Sequence, residues 1–231
     1  MASQDFPTGG SGEGSAQSKP PARSAERPHD ALLVFVRAPV RGRVKTRLAR
    51  AMGDDAALRI YRRLAEHTVM QAMRLAREDG VEVRIHHTPA AAGHAVRDWL
   101  GPGPLYLPQS GGGLGERMHD AFAHAFANGR GRVVIVGSDL PDLDAELMRR
   151  AFTLLDAHRA VIGPARDGGY YLLGLTELPR GIFAGIEWST PTVLAETLRR
   201  MRALGMVPML LEEMRDVDEA ADVPEGWVEE G

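Results

Sequence analysis

Four short stretches of this sequence set charged side chains beside glycines, a combination that lets backbone and charge close around an anion. The first is Arg37-Ala38-Pro39-Val40-Arg41-Gly42-Arg43-Val44-Lys45-Thr46-Arg47-Leu48. Gly42 allows the backbone to approach a ligand closely. Arg37, Arg43, Lys45 and Arg47 can neutralise phosphates, the arginines bidentately. A Walker A loop is excluded, because Lys45-Thr46 follows Val44 and not the glycine that motif requires. The competing reading is a basic surface loop.

The second stretch is Gln109-Ser110-Gly111-Gly112-Gly113-Leu114-Gly115-Glu116-Arg117. A glycine-rich turn running into a helix offers free N–H groups to an anion, which makes Gly115 and Arg117 candidates for nucleotide binding. The third is Val133-Val134-Ile135-Val136-Gly137-Ser138-Asp139-Leu140-Pro141-Asp142. A carboxylate just past the end of a buried strand is a natural ligand for Mg2+ or Mn2+. Magnesium takes one or two carboxylates and completes its shell with phosphate oxygens and water. Asp139 is therefore the principal metal and catalytic candidate, while Asp142 and Asp144 read as turn or helix caps.

The fourth stretch, Pro164-Ala165-Arg166-Asp167-Gly168-Gly169-Tyr170-Tyr171, is a turn signal that also supplies an acid beside glycines. Asp167 is a second catalytic candidate. Gly168, Gly169 and Tyr170, with Trp188, Ser189 and Thr190 further on, are candidates for an acceptor site. Trp188-Ser189-Thr190-Pro191 can equally cap the helix that follows. Asp216-Val217-Asp218 lies in an acidic segment whose default reading is a solvated face, with Asp218 a candidate second metal ligand. The histidines form no ligand pattern and carry no assigned role.

These residues need a scaffold that brings distant loops together. Ala31 to Val36 is a continuous apolar run, as expected of a strand buried on both faces. Asp54 is placed to cap a long helix to about Glu78, with Leu58, Tyr61, Leu64, Ala65, Thr68, Ala72 and Leu75 along one face. Val81 to His86 alternates as a strand, Ala91 to Leu100 reads as a short helix and Leu105 to Leu107 as a short strand. A helix opens at the glycine run and reaches about Asn128. Arg132 to Gly137 is the strongest strand in the chain. Then follow a helix from Asp144 to about His158, strands at Ala160 to Gly163 and Tyr170 to Leu175, a helix over Thr192 to Leu204, and a last strand at Met206 to Leu211. Strands alternating with helices predict a mainly parallel sheet covered on both faces. Ligands bind such sheets beyond the carboxyl ends of the strands, so the loops after Val36, Leu107, Val136 and Gly163 are the ones to examine.

The composition agrees. Residues 1–29 are rich in Gly, Ser, Pro and Ala, without the apolar stretch of a secretory signal, and read as a disordered leader. The remainder allows one α/β domain over 30–224 and a short tail at 225–231. With no cysteine, disulfides, thiolate catalysis and iron–sulfur clusters are excluded, and the expected setting is a reducing cytoplasm. A net charge of -3 argues against a nucleic-acid partner. No stretch approaches the roughly 20 apolar residues of a membrane helix, so no membrane insertion is expected.

Five ordered motifs together resemble one bacterial family. They are Phe35 to Pro39 with Gly42, Lys45-Thr46-Arg47-Leu48, Leu114-Gly115-Glu116-Arg117-Met118, Gly137-Ser138-Asp139-Leu140-Pro141 and Asp167-Gly168-Gly169-Tyr170-Tyr171. The family is DUF2064, also described as the radical-SAM/selenodomain-associated transferase 1 family and assigned to arsenosugar-biosynthesis glycosyl transfer. The resemblance spans about Ala31 to Val223. It implies a single-domain, Rossmann-like fold of the glycosyltransferase-A type and a magnesium-dependent transferase taking a nucleotide-diphospho-sugar donor and a small-molecule acceptor. The Lys45 to Leu48 element and the Asp216-Val217-Asp218 ending are also similar to phospholactate and molybdenum-cofactor guanylyltransferases. The Leu-Ala-Gly-Gly opening of the latter is missing, and Arg37 stands where a lysine is common. A nucleotidyltransferase using an NTP and a phosphorylated acceptor therefore stays open, as does a nucleotide-binding protein without turnover.

Overall fold

The computed structural model describes Met1 and residues 29–227. Except for Met1 and His29, the leader expected at 1–29 lies outside the described residues, as do residues 228–231 of the expected tail. Among the described residues, seven strands form one sheet: β1 (Ala31–Arg37), β2 (Glu82–Thr88), β3 (Leu105–Pro108), β4 (Val133–Val136), β5 (Ala160–Pro164), β6 (Tyr170–Leu175) and β7 (Met209–Leu210). Their order is β3-β2-β1-β4-β6-β5-β7. All neighbours run parallel except β6, which is antiparallel to both β4 and β5. This is the expected mainly parallel α/β sheet.

The helices are α1 (Thr46–Met52), α2 (Asp54–Asp79), α3 (Gly93–Leu100), α4 (Leu114–Ala127), α5 (Ala145–Leu154) and α6 (Val193–Ala203). The period-two geometry of β1 sorts its side chains between two cores. Leu32, Val34 and Val36 face α2, α3 and α5; Ala31 and Leu33 face α4 and α6. The long helix α2 opens after Gly53 with Asp54 and Asp55 in its first turn, where their charge suits the helix dipole. It buries Ile60, Tyr61, Leu64, Val69, Ala72 and Leu75 along one stripe and stops at Gly80, whose left-handed conformation closes its last turn.

Several boundaries differ from the sequence reading. Thr46 to Met52 is helical and not loop, because Leu48 is fully buried against Ala57, Ile60, Leu64 and Val217. The helix expected to reach His158 stops at Leu154, and the final strand narrows to Met209–Leu210. The acidic segment after Glu212 is not simply solvated. Val217 is buried, Asp222 is closed off beside Arg215, and packing continues to Trp227, which lies against the same cluster as Leu48.

Chain direction sets the working edge. From β1 the chain moves outward to β2 and β3, then returns to place β4 on the other side of β1. The crevice between the carboxyl ends of β1 and β4 is the topological switch point of the sheet.

Candidate functional site

Two of the predicted loops meet at that crevice, and the C-terminal segment joins them. Lys45 leads into α1 with φ 45° and ψ 49°, a left-handed conformation uncommon for any residue with a side chain. Such strain persists only where the surroundings over-determine it, and it concentrates at functional sites. The Lys45 side chain is only 5% exposed, and its Nζ lies 3.0 Å from Asp139 Oδ1 and 3.9 Å from Asp218 Oδ1. Arg47 donates to the other Asp218 oxygen at 2.8 Å. The backbone ties the two acidic segments together: the N–H of Val217 donates to the carbonyl of Asp139 at 3.0 Å. Burying Val217 thus turns Asp218 toward the end of β4, a placement that the acidic composition of the segment conceals.

Asp216 and Asp167 complete the charged rim. Burial, and then the negative charge of Asp167, hold the Asp216 carboxyl above the usual carboxylate range, while Lys45 acts in the opposite sense. Asp167 sits on the β5–β6 turn and accepts the N–H of Gly169 at 2.8 Å, a local turn bond characteristic of aspartate. Gly168 has φ 85° and lies so close to Pro191 that an added Cβ would fall 2.1 Å from the Pro191 carbonyl oxygen. Its own carbonyl accepts from Leu194 at 2.8 Å, which docks the start of α6 on this turn.

Tyr61 is a site residue that the sequence reading missed. Its hydroxyl accepts the N–H of Arg37 at 2.7 Å and donates to the Arg37 carbonyl at 2.8 Å, fixing the residue where β1 turns into the basic loop. Burial pushes the phenol up to about 12, and the nearby Asp139 charge adds to that rise. On sequence alone it is one more apolar position on a helix stripe. Beyond it, Arg37 reaches the Arg43 carbonyl at 3.5 Å across the loop, Gly42 adopts φ 70° in its turn, and Arg43 is exposed. Arg41 is drawn aside to Asp54 and Asp55.

The glycine-rich loop is closed by its own side chains. Gln109 donates to the carbonyl of His86 at 2.8 Å and of Val36 at 3.4 Å, bridging the ends of β2 and β1. Arg117 donates to the Gly112 carbonyl at 3.0 Å, and the Glu116 carboxylate accepts the Gly113 N–H at 2.8 Å. One of the amides expected to greet an anion is therefore already bonded. Gly115 serves packing: an added Cβ would lie 2.6 Å from Trp188 Nε1. Trp188 in turn meets Tyr170 edge-on at 6.4 Å, and Thr190 donates to the Glu187 carbonyl at 2.8 Å beside Ser189, whose φ is 63°. Between the glycine-rich loop with the start of α4 and residues 181–188 lies a groove of about 730 Å³ whose walls include Glu116, His119, Asp120, Phe183 and Trp188.

Of the predicted residues, Lys45, Arg47, Asp139 and Asp218 are brought into direct contact, with Asp167 at the rim. Gly115 and Trp188 line the groove, with Tyr170 behind Trp188, while Gly168 packs on Pro191. Among the described residues no group of three or more His, Cys, Asp or Glu side chains is arranged to hold a metal ion. Asp139 and Asp218 nevertheless fit a hard divalent cation: they are oxygen donors, 44% and 38% exposed, and both already face the Lys45 ammonium, with Arg47 also on Asp218. Two carboxylates, with the remaining ligands from phosphate and water, is the usual protein share for magnesium.

Residues 69–190, more than half of the sequence, match the profile of the family described as an uncharacterized protein conserved in bacteria, DUF2064. The chain belongs to this DUF2064 family. The resemblance drawn from the five motifs is thus borne out. A structure from Desulfovibrio desulfuricans G20, assigned as a nucleotide-diphospho-sugar transferase, is 36% identical, with 82% of each chain covered and a TM-score of 0.75. Two more distant structures share the fold. One is the 4-diphosphocytidyl-2C-methyl-D-erythritol synthase of Anaerococcus prevotii, 13% identical, covering 84% of this chain and 94% of that one, with a TM-score of 0.55. The other is the glucosyl-3-phosphoglycerate synthase of Mycobacterium tuberculosis, solved with Mn2+, UDP and glucosyl-3-phosphoglycerate. It is 11% identical, covering 84% and 74% of the two chains, with a TM-score of 0.53. No functionally curated protein matches the sequence. No described helix of this DUF2064 protein is long and apolar enough to cross a membrane.

Proposed function

We propose that this DUF2064 protein is a Mg2+- or Mn2+-dependent transferase that moves a glycosyl group from a nucleotide-diphospho-sugar to a small acceptor. The observation that carries this reading is the charge arrangement at the β1–β4 switch point. Two half-exposed carboxylates, Asp139 and Asp218, stand beside the buried ammonium of Lys45, with Arg47 of α1 on Asp218 and Arg37 and Arg43 in the adjoining loop. The loop binds the donor diphosphate by charge and, through its arginines, by paired N–H donors. Asp139 and Asp218 hold the divalent cation, which supplies charge neutralisation for the departing nucleoside diphosphate. Asp167, held by the β5–β6 turn, takes the proton as the acceptor oxygen bonds to the sugar carbon and the bond to the diphosphate breaks.

Glycosyl transfer is favoured over nucleotidyl transfer by the groove beside Trp188. Its lining holds Glu116 and Asp120 but no Lys or Arg. A neutral hydroxyl-bearing molecule can lie against the indole and hydrogen-bond to Asp120.

Thermal-shift screening against NTPs and NDP-sugars, with and without Mg2+, tests the reading, since a selective ligand raises the melting temperature by mass action. An NDP-sugar that stabilises only with Mg2+, and is then consumed in the presence of an acceptor, is the expected result. Stabilisation by an NTP alone, with release of pyrophosphate, would transfer the protein to the nucleotidyltransferases. Binding without any turnover would make it a nucleotide sensor.

A further inference from the structure

Lys45 is unusual in this chain for its residue type as well as its place. The sequence contains 26 arginines and only two lysines, Lys19 and Lys45. Nearly everywhere that the chain carries a fixed cation, it uses a guanidinium. At the switch point it carries an ammonium, a compact point charge with three donors and no planar fork. In size and charge density an ammonium resembles a small metal ion more closely than a guanidinium does.

The geometry is equally specific. The side chain is 5% exposed, whereas the carboxylates it touches are 44% and 38% exposed. The ammonium thus lies beneath the carboxylates, and solvent lies above them. The left-handed backbone at Lys45 aims the side chain inward, and the Val217–Asp139 backbone bond keeps its two acidic partners in register. A divalent cation arriving from solvent meets carboxylates whose charge is already partly neutralised, Asp139 by Lys45 from below and Asp218 by Lys45 together with the exposed Arg47.

We infer that Lys45 is a resident counterion that keeps Asp139 and Asp218 in place in the free protein and weakens their hold on a divalent cation until a donor phosphate draws the ammonium away. This rests on the metal reading given under Proposed function and adds an order of events. Metal and nucleotide bind with positive coupling, and each tightens the other by the same factor. The free protein holds metal weakly, which limits unproductive loading in the absence of donor.

The test is Mn2+ binding without nucleotide, followed by electron paramagnetic resonance of the free ion. Lys45→Met keeps the aliphatic stem and removes the charge. It should bind Mn2+ roughly tenfold more tightly than wild type, within the ordinary range for coupled sites. Adding Asp139→Asn to that variant should abolish the gain. If Lys45→Met binds no more tightly while Asp139→Asn weakens Mn2+ binding by the otherwise wild-type chain, the metal site stands and the counterion role falls. If neither substitution changes Mn2+ binding, the metal reading fails and takes this inference with it. Should Lys45→Met not fold, the wild-type chain decides, because mass spectrometry need follow only two lysines. Lys45 should be acetylated faster, relative to Lys19, once Mn2+ is bound; an unchanged rate with bound Mn2+ overturns the inference.

Discussion

The two ends of β4 use ion pairs for opposite purposes. At the amino end, Arg132 donates to both oxygens of Asp30 at 2.8 and 2.5 Å, to Asp156 at 2.7 Å and to the Phe152 carbonyl at 2.9 Å. The fork is bidentate, and it ties the entry of β1 to the end of α5. The guanidinium and Asp30 are both mostly buried, at 20% and 16% exposed. At the carboxyl end, Lys45 makes one close contact and one long one with carboxylates open to water. Geometry that fills the donors of a cation stabilises the native state. Geometry that leaves acceptors in reserve keeps a place for a ligand.

The largest expected effect is at the open end. Asp139→Asn preserves size and removes the charge, so folding should survive. Metal-dependent turnover should fall by roughly 100-fold or more, the scale of about 2.7 kcal/mol of transition-state stabilisation. Turnover against Mg2+ concentration is the measurement, and a wild-type rate with wild-type metal dependence would sink the assignment. At the closed end, Arg132→Ala should leave the Mg2+ dependence untouched and lower stability by about 2 kcal/mol, below the 3–5 kcal/mol of a fully buried pair. Urea unfolding reads that loss; a change in metal dependence instead would erase the contrast between the two ends.

Lys45→Ala should weaken nucleotide binding by roughly tenfold at low salt and by less at high salt, where screening has already weakened the contact. Calorimetry at two ionic strengths checks this. Equal affinity in alanine variants of Arg43, Lys45 and Arg47 would place the basic loop outside the site.

The smallest effect is electrostatic and lies on β2. Burial, followed by the charges of Arg84, His124 and His87, holds the His86 imidazole down to about 4. The unfolded ring takes up a proton near pH 6.5, while the folded ring resists until about 4, so stability is lost as pH falls through that interval. Between pH 7.5 and 5.5 the expected loss is about 1 kcal/mol. A denaturation midpoint that holds steady, or falls equally in His86→Leu, would show that another group is responsible.

Much of this architecture was readable in the residues. The apolar runs at Ala31–Val36 and Val133–Val136 mark the two central strands, and strand ends are where this sheet class binds ligands, so Lys45 and Asp139 could be named at once. What escaped were features created by packing. Tyr61 resembles any core aromatic until its hydroxyl meets both polar groups of Arg37. The first turn of α1 is masked by its basic residues, because a single buried leucine gives too little periodicity to read. The acidic run after Glu212 predicts solvent, and only the burial of Val217 shows why it crosses the site. The free amides expected before α4 are partly taken by Glu116, a choice that local composition leaves open.

The reversed direction of β6 has a mechanical consequence. A loop leaving a parallel strand is anchored firmly at one end and must travel to its next support. The segment from Ala165 to Gly169 is instead gripped by β5 on entry and β6 on exit, with Ala165 and Gly169 bonded across its base and Arg166 tethered to Met214. It behaves as a short bracket fixed at both feet. A carboxylate mounted on it, Asp167, therefore has a fixed station at the rim of the crevice.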